Sequence, residues 1–170
     1  MSSRQAIAVL TALMLAPACA SPLQAQRRPR PWHVVPPLTA IAINDLSFGT
    51  VLLGIPVSVS VHDPRHSGQF AVRGPADASI RVEFFLPPAL VSRQGAQLPL
   101  FFGPGDGLAD FSHDTPRRSR VFDPHRPVVG TLGSNGMLYL RLGGTVTPSH
   151  TQARGVYSAT ISITVYNLGS

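Results

Sequence analysis

The chain has no lysine, a single glutamate and a single cysteine, which leaves several common kinds of chemistry with almost nothing to use. Without lysine there is no Schiff-base amine, and apart from histidine the positive charge is carried by 14 arginines. With Glu83 as the only glutamate, an acid and base pair of glutamates is excluded. One cysteine, Cys19, excludes an internal disulfide framework and a thiolate metal site. Charge of either sign is sparse, at 13% of residues against about 25% in an ordinary globular domain. With 44% apolar residues, that balance excludes a disordered polyelectrolyte and a coiled coil. Proline (17) and glycine (15) are abundant instead. Both are the poorest helix formers, so a helical bundle is excluded and an all-β chain is expected.

The first 25 residues read as a signal peptide. Arg4 supplies a short positive region, residues 6–15 an apolar stretch, and small residues follow. An apolar run of about ten residues is half the roughly 20 needed to span a bilayer, so no transmembrane anchor is expected. Cleavage is expected after Ala25, with Ala20 as the second site. Cys19 raises the alternative of a lipidated amino terminus, but Leu15 lies one place too early for that motif and Pro17 stands where a small flexible residue belongs. The expected compartment is therefore outside the cytoplasm: periplasm, cell surface or medium. Residues 26–37 carry three arginines and four prolines around Trp32 and read as an extended, polyproline-like arm. Residues 38–170 are expected to form one domain.

Within that domain the apolar residues alternate with period two, which places them on one face of a strand. Ile41 and Ile43, Val57 and Val59, Phe70 and Val72, and the series Ile80, Val82, Phe84 and Leu86 all follow it. Residues 98–102 and 137–142 are further apolar runs. The clearest alternation is in residues 156–166, where Tyr157, Ala159, Ile161, Ile163 and Val165 point one way. As one strand of 11 residues it would reach roughly 36 Å. Residues 89–94, after Pro88, allow either a single helical turn or an extended segment. Short strands set off by Gly, Pro, Asn and Asp predict an antiparallel two-sheet, immunoglobulin-like sandwich of about seven to nine strands.

Several stretches carry a family resemblance. These are Leu46-Ser47-Phe48-Gly49-Thr50-Val51, Phe70-Ala71-Val72-Arg73-Gly74, Ile80-Arg81-Val82-Glu83, Leu140-Arg141-Leu142-Gly143-Gly144-Thr145-Val146 and Gln152-Ala153-Arg154-Gly155-Val156-Tyr157. In this order the chain resembles the secreted bacterial domain of unknown function family 4402, itself similar to spore coat U and fimbrial-subunit sandwiches. The resemblance implies a sandwich fold, export and a surface or pilus-like role, and it brings no catalytic residues. Two departures stand out: a longer, more charged loop over residues 103–127, and Ala159 where a glycine is usual.

That loop is the main polar concentration in the sequence. Asp106, Asp110, His113 and Asp114 are metal-ligating types, but their spacing fits no EF-hand or zinc pattern, and Asp in Gly-rich loops commonly caps turns. No metal and no cofactor are expected. Arg117, Arg118, Arg120 and Arg126 form a candidate contact for an anion or an anionic polysaccharide. There is no Gly-x-Ser-x-Gly elbow, no His-Glu-x-x-His and no phosphate-binding glycine loop, so the chain is read as non-enzymatic. The calculated isoelectric point near 11.0 reflects arginine as the main base rather than a basic stripe, and no nucleic acid partner is expected. The leading expectation is a structural or adhesive surface component that pairs with itself or a surface protein by β-strand addition, with Ile41 and Ile43 as donor-strand positions. The alternative is a soluble periplasmic or secreted module that binds an anionic glycan.

Overall fold

The computed structural model describes residues 36–111 and 119–169. The expected signal peptide, Cys19, Trp32 and the arm as far as residue 35 lie outside the described residues, as do His113, Asp114, Arg117 and Arg118.

Alternation along the chain decides which faces meet. On β10 (Met137–Leu142) Leu138, Leu140 and Leu142 are fully buried, while Met137, Tyr139 and Arg141 are half-exposed on the opposite face. This strand is the centre of a sheet ordered β1 (Thr39–Asn44), β3 (Gly68–Arg73), β10, β7 (Gly107–Asp110), β8 (Ser119–Phe122). Against its inner face lies a three-stranded sheet of β13 (Ser162–Gly169), β4 (Ser79–Phe85) and β9 (Val128–Thr131). Val72, Leu138, Leu140 and Leu142 from one layer join Ile80, Val82 and Val128 from the other in the main core. A further sheet runs β12 (Tyr157–Ser158), β5 (Ala89–Ser92), β6 (Gln97–Phe101), β11 (Gly144–Val146), β2 (Val57–Val59) and holds a smaller core of Leu98, Leu100, Phe102 and Val146. Leu86 and Ile161 pack against both cores. The chain is thus all-β and antiparallel, with no helix among the described residues, in a sandwich arrangement.

The described residues hold thirteen strand segments where about seven to nine strands are expected from sequence, because long runs are interrupted. Gly143 alone separates β10 from β11, and there the strand passes from one sheet to another. Its amide donates to the Asp106 carbonyl at 2.8 Å, and a Cβ would collide with the Val59 carbonyl and lie 3.1 Å from the Val61 amide nitrogen.

Two other expectations need correcting, and one segment that the sequence left open is decided. Residues 156–166 are not one strand: β12 ends at Ser158 and β13 begins at Ser162, and β13 continues past Tyr166 to Gly169. The gap lies level with Pro87 and Pro88, which follow β4 and have no N–H to give a neighbouring strand. The alternation itself holds, since Tyr157, Ile161, Ile163 and Val165 are half-buried; Ala159, in the gap, is exposed. Residues 89–94 are extended rather than helical through Ser92, and the β5–β6 hairpin then turns at Gly95, whose φ of 85° suits glycine. Residues 103–127, read as a loop, contain the paired strands β7 and β8, in which Gly107 and Ala109 are small enough to be buried beside Phe122.

Candidate functional site

Two features of the sandwich edge set the geometry of the candidate site. The first is β1. Ala40 stands opposite Val72 and Ala42 opposite Phe70, so the core-facing side of this strand carries only alanines. Ile41 stands opposite Ala71, on the outer face, and Ile41 and Ile43 are 58% and 54% exposed. The two isoleucines do share one face, but it is the face turned away from the core. Leu38, just before the strand, is the side chain of this segment that packs against the main core. Segment 38–44 thus pairs with β3 of its own chain mainly through backbone bonds.

The second feature is a cleft of about 690 Å³ between residues 45–51 and residues 155–161. Its floor is apolar, formed by Leu46, Phe48, Leu90, Leu98, Tyr157 and Ile161. Among the described residues neither 48–51 nor 159–161 has a backbone hydrogen-bond partner in a neighbouring strand, so both rims are open edges.

Local chemistry fixes each rim. Tyr157 donates its hydroxyl hydrogen to the Ala153 carbonyl and accepts from Gln152 Nε2 at 2.7 Å, and the same amide reaches the Gln97 carbonyl at 3.0 Å. On the other rim, the Ser47 amide donates to the His66 carbonyl at 2.9 Å and Asn44 Nδ2 to the Ser67 carbonyl at 2.9 Å. The turn that offers these carbonyls is tied by Asp63. Its Oδ1 accepts the amides of Arg65 (2.9 Å) and His66 (3.2 Å), and its Oδ2 faces His66 Nδ1 at 2.8 Å.

The bond from the Arg65 amide, followed by that from the His66 side chain, holds the Asp63 carboxyl below its ordinary value of 3.8. A lowered carboxyl stabilises the fold above the unfolded value, and that contribution disappears as pH falls through the folded one. The expected result is an Asp63 carboxyl titration by NMR with a midpoint below 3.8, and a Ser47 amide shift that moves with the same midpoint. A Ser47 signal indifferent to that titration would break the link between the turn and the rim.

Of the candidate arginine group, only Arg120 and Arg126 are among the described residues. Arg117 and Arg118 lie outside the described residues. Arg120 lies 6.0 Å from the Phe111 ring centroid and donates to the Val129 carbonyl at 3.3 Å, bridging towards β9. Arg126 is in a separate turn with Asp123, at 3.6 Å. Two aspartates of this stretch act as turn caps: Asp106 Oδ2 accepts the Gly103 amide at 2.7 Å and Asp123 Oδ1 the His125 amide at 3.0 Å, while Asp110 lies in β7. No cluster of three metal-ligating side chains occurs among the described residues. Glu83 is paired with Arg81, which also lies 5.9 Å from the Tyr166 ring centroid. The cleft was not visible in the sequence, because its walls come from segments about a hundred residues apart and only the quoted stretches around Phe48 and Tyr157 marked them. Compared with protein-family models and with curated proteins, the chain matches none.

Proposed function

We propose that this chain is an exported, non-enzymatic structural or adhesive component of the cell surface, an immunoglobulin-like, pilin-like sandwich that joins other copies by exchanging its first strand. The observation that carries this reading is the way β1 is held: a backbone ladder to β3, regular from Thr39 to Ala42 and shifted in register before Asn44, with every side chain from Thr39 to Ile43 exposed. A ladder bond contributes a net of about 0.5–1.5 kcal/mol, and little side-chain burial adds to it here. The β3 edge of a second copy presents the same backbone groups, so β1 would lose few interactions in moving there. Edge strands held this lightly open locally far more often than the core does.

Disulfide trapping tests the exchange. In chains with Cys19→Ser, Ile41→Cys and Ala71→Cys occupy directly opposed positions of the ladder. Mixing the two single variants at high concentration should yield a covalent dimer containing one chain of each. If the double variant closes its bridge within one chain while the mixture stays monomeric, β1 does not leave its own sandwich and the reading fails.

A further inference from the structure

The outer face of the first sheet holds a second concavity, of about 580 Å³, which reaches Ile43 of β1. That volume lies within the range of about 300–1,000 Å³ usual for small-ligand sites. It forms on the side chains of β3, β10 and β7, all interior strands whose two backbone edges are already in ladders. A ligand here therefore meets side chains rather than free backbone edges, which excludes recognition of a peptide by strand addition. Register sets the arrangement. Tyr139 stands between Ala71 and Asp110, and Arg141 between Gln69 and Leu108. Ile43 and His62 form one wall of the hollow, and Asp110 and Ser119 the other.

The chemistry of this lining is specific in kind. It combines an aromatic ring and an aliphatic side chain with a guanidinium, a carboxamide, an imidazole and a carboxylate. Sugars offer the complementary pattern, with an apolar C–H face that rests on a ring and hydroxyls that pair with planar polar groups. Arg141 is half-buried and forms no ion pair among the described residues. Its guanidinium suits a carboxylate in the forked geometry that arginine favours. We infer that this face binds a saccharide carrying one carboxylate per residue, a uronic acid, with Arg141 on the carboxylate and Tyr139 under the ring.

Titration calorimetry of the full chain with the galacturonic acid trimer tests this, with maltotriose as the neutral counterpart and hexa-aspartate as the non-sugar anion. The trimer should bind, and Arg141→Gln and Tyr139→Ala should each weaken it by about tenfold or more with the melting temperature kept. Should Tyr139→Ala unfold, Tyr139→Leu removes the ring while keeping bulk. Maltotriose and hexa-aspartate should bind at least about tenfold more weakly than the trimer. The inference is overturned if the trimer gives no binding, if either control matches it, or if Arg141→Gln binds as the parent does.

Discussion

Replacing Leu140 with alanine is expected to cost about 2–5 kcal/mol, whereas Ile41→Ala should change stability by less than about 1 kcal/mol. Both residues are large aliphatics on strands of the same sheet, and composition or propensity would treat them alike. Leu140 is fully buried on the central strand, with Phe70 opposite it on β3 and Ala109 opposite it on β7. Deleting its side chain leaves a cavity between two strands that the surrounding ladder cannot close. Ile41 is 58% exposed on an edge strand, and its truncation leaves no hole. Urea unfolding at constant m would read the difference as a shift in midpoint. Equal losses would mean that Ile41 lies in the core, that is, a register displaced by one residue between β1 and β3.

The same contrast explains what could be read in the sequence. Period-two alternation marks a face, and on β4, β10 and β13 the marked face is the core face: Ile80 and Val82, Leu138 and Leu140, Ile163 and Val165. On β1 an equally clean alternation, Ile41 and Ile43 against Ala40 and Ala42, marks the outward face. Alternation gives the period but not its sign, and only pairing with β3 settles which side the isoleucines take. Breaks are legible when a proline lies in the strand itself and hidden when it lies in the partner. Residues 156–166 contain no proline, so the interruption after Ser158 could not be seen without knowing that Pro87 and Pro88 lie across from it. Polar density misled for a different reason. The Asp and Arg residues of 103–127 suggested a loop, while the burial of Gly107, Ala109 and Phe122 shows that small residues between charged ones can still build a strand pair.

The cleft and the outer hollow share a cause that no local pattern carries. Each is a space between segments brought together by the sheet order, and the residues that line it look ordinary where they stand in the chain. Gln69, Asp110 and Arg141 fall in three separate strands, and only the order β3-β10-β7 places them side by side.

Deleting residues 1–44 is expected to turn the protein from a soluble species into an aggregate, the largest effect anticipated for any change outside the core. The deletion removes the whole of β1 and leaves the β3 edge of the main sheet uncovered, a row of unpaired amides and carbonyls beside Phe70 and Val72. It also removes Leu38 from the main core and the two bonds that Asn44 Nδ2 makes to the Arg65 and Ser67 carbonyls. Those losses are separable. A deletion ending at Ile43 keeps Asn44, and if aggregation comes from the open edge rather than from the turn, both truncations behave alike. A peptide spanning residues 38–44 supplied during refolding should restore solubility, since it brings both the Leu38 side chain and the ladder. The same peptide with Ile41→Pro should not, because proline removes an amide inside Thr39–Ala42, the regular part of the ladder that β1 makes with β3. Sedimentation velocity distinguishes monomer, peptide-bound monomer and aggregate. A truncated chain that sediments as a monomer and unfolds at the same urea midpoint as the full chain would show that β1 closes nothing, and strand exchange would then lack both its donor and its acceptor.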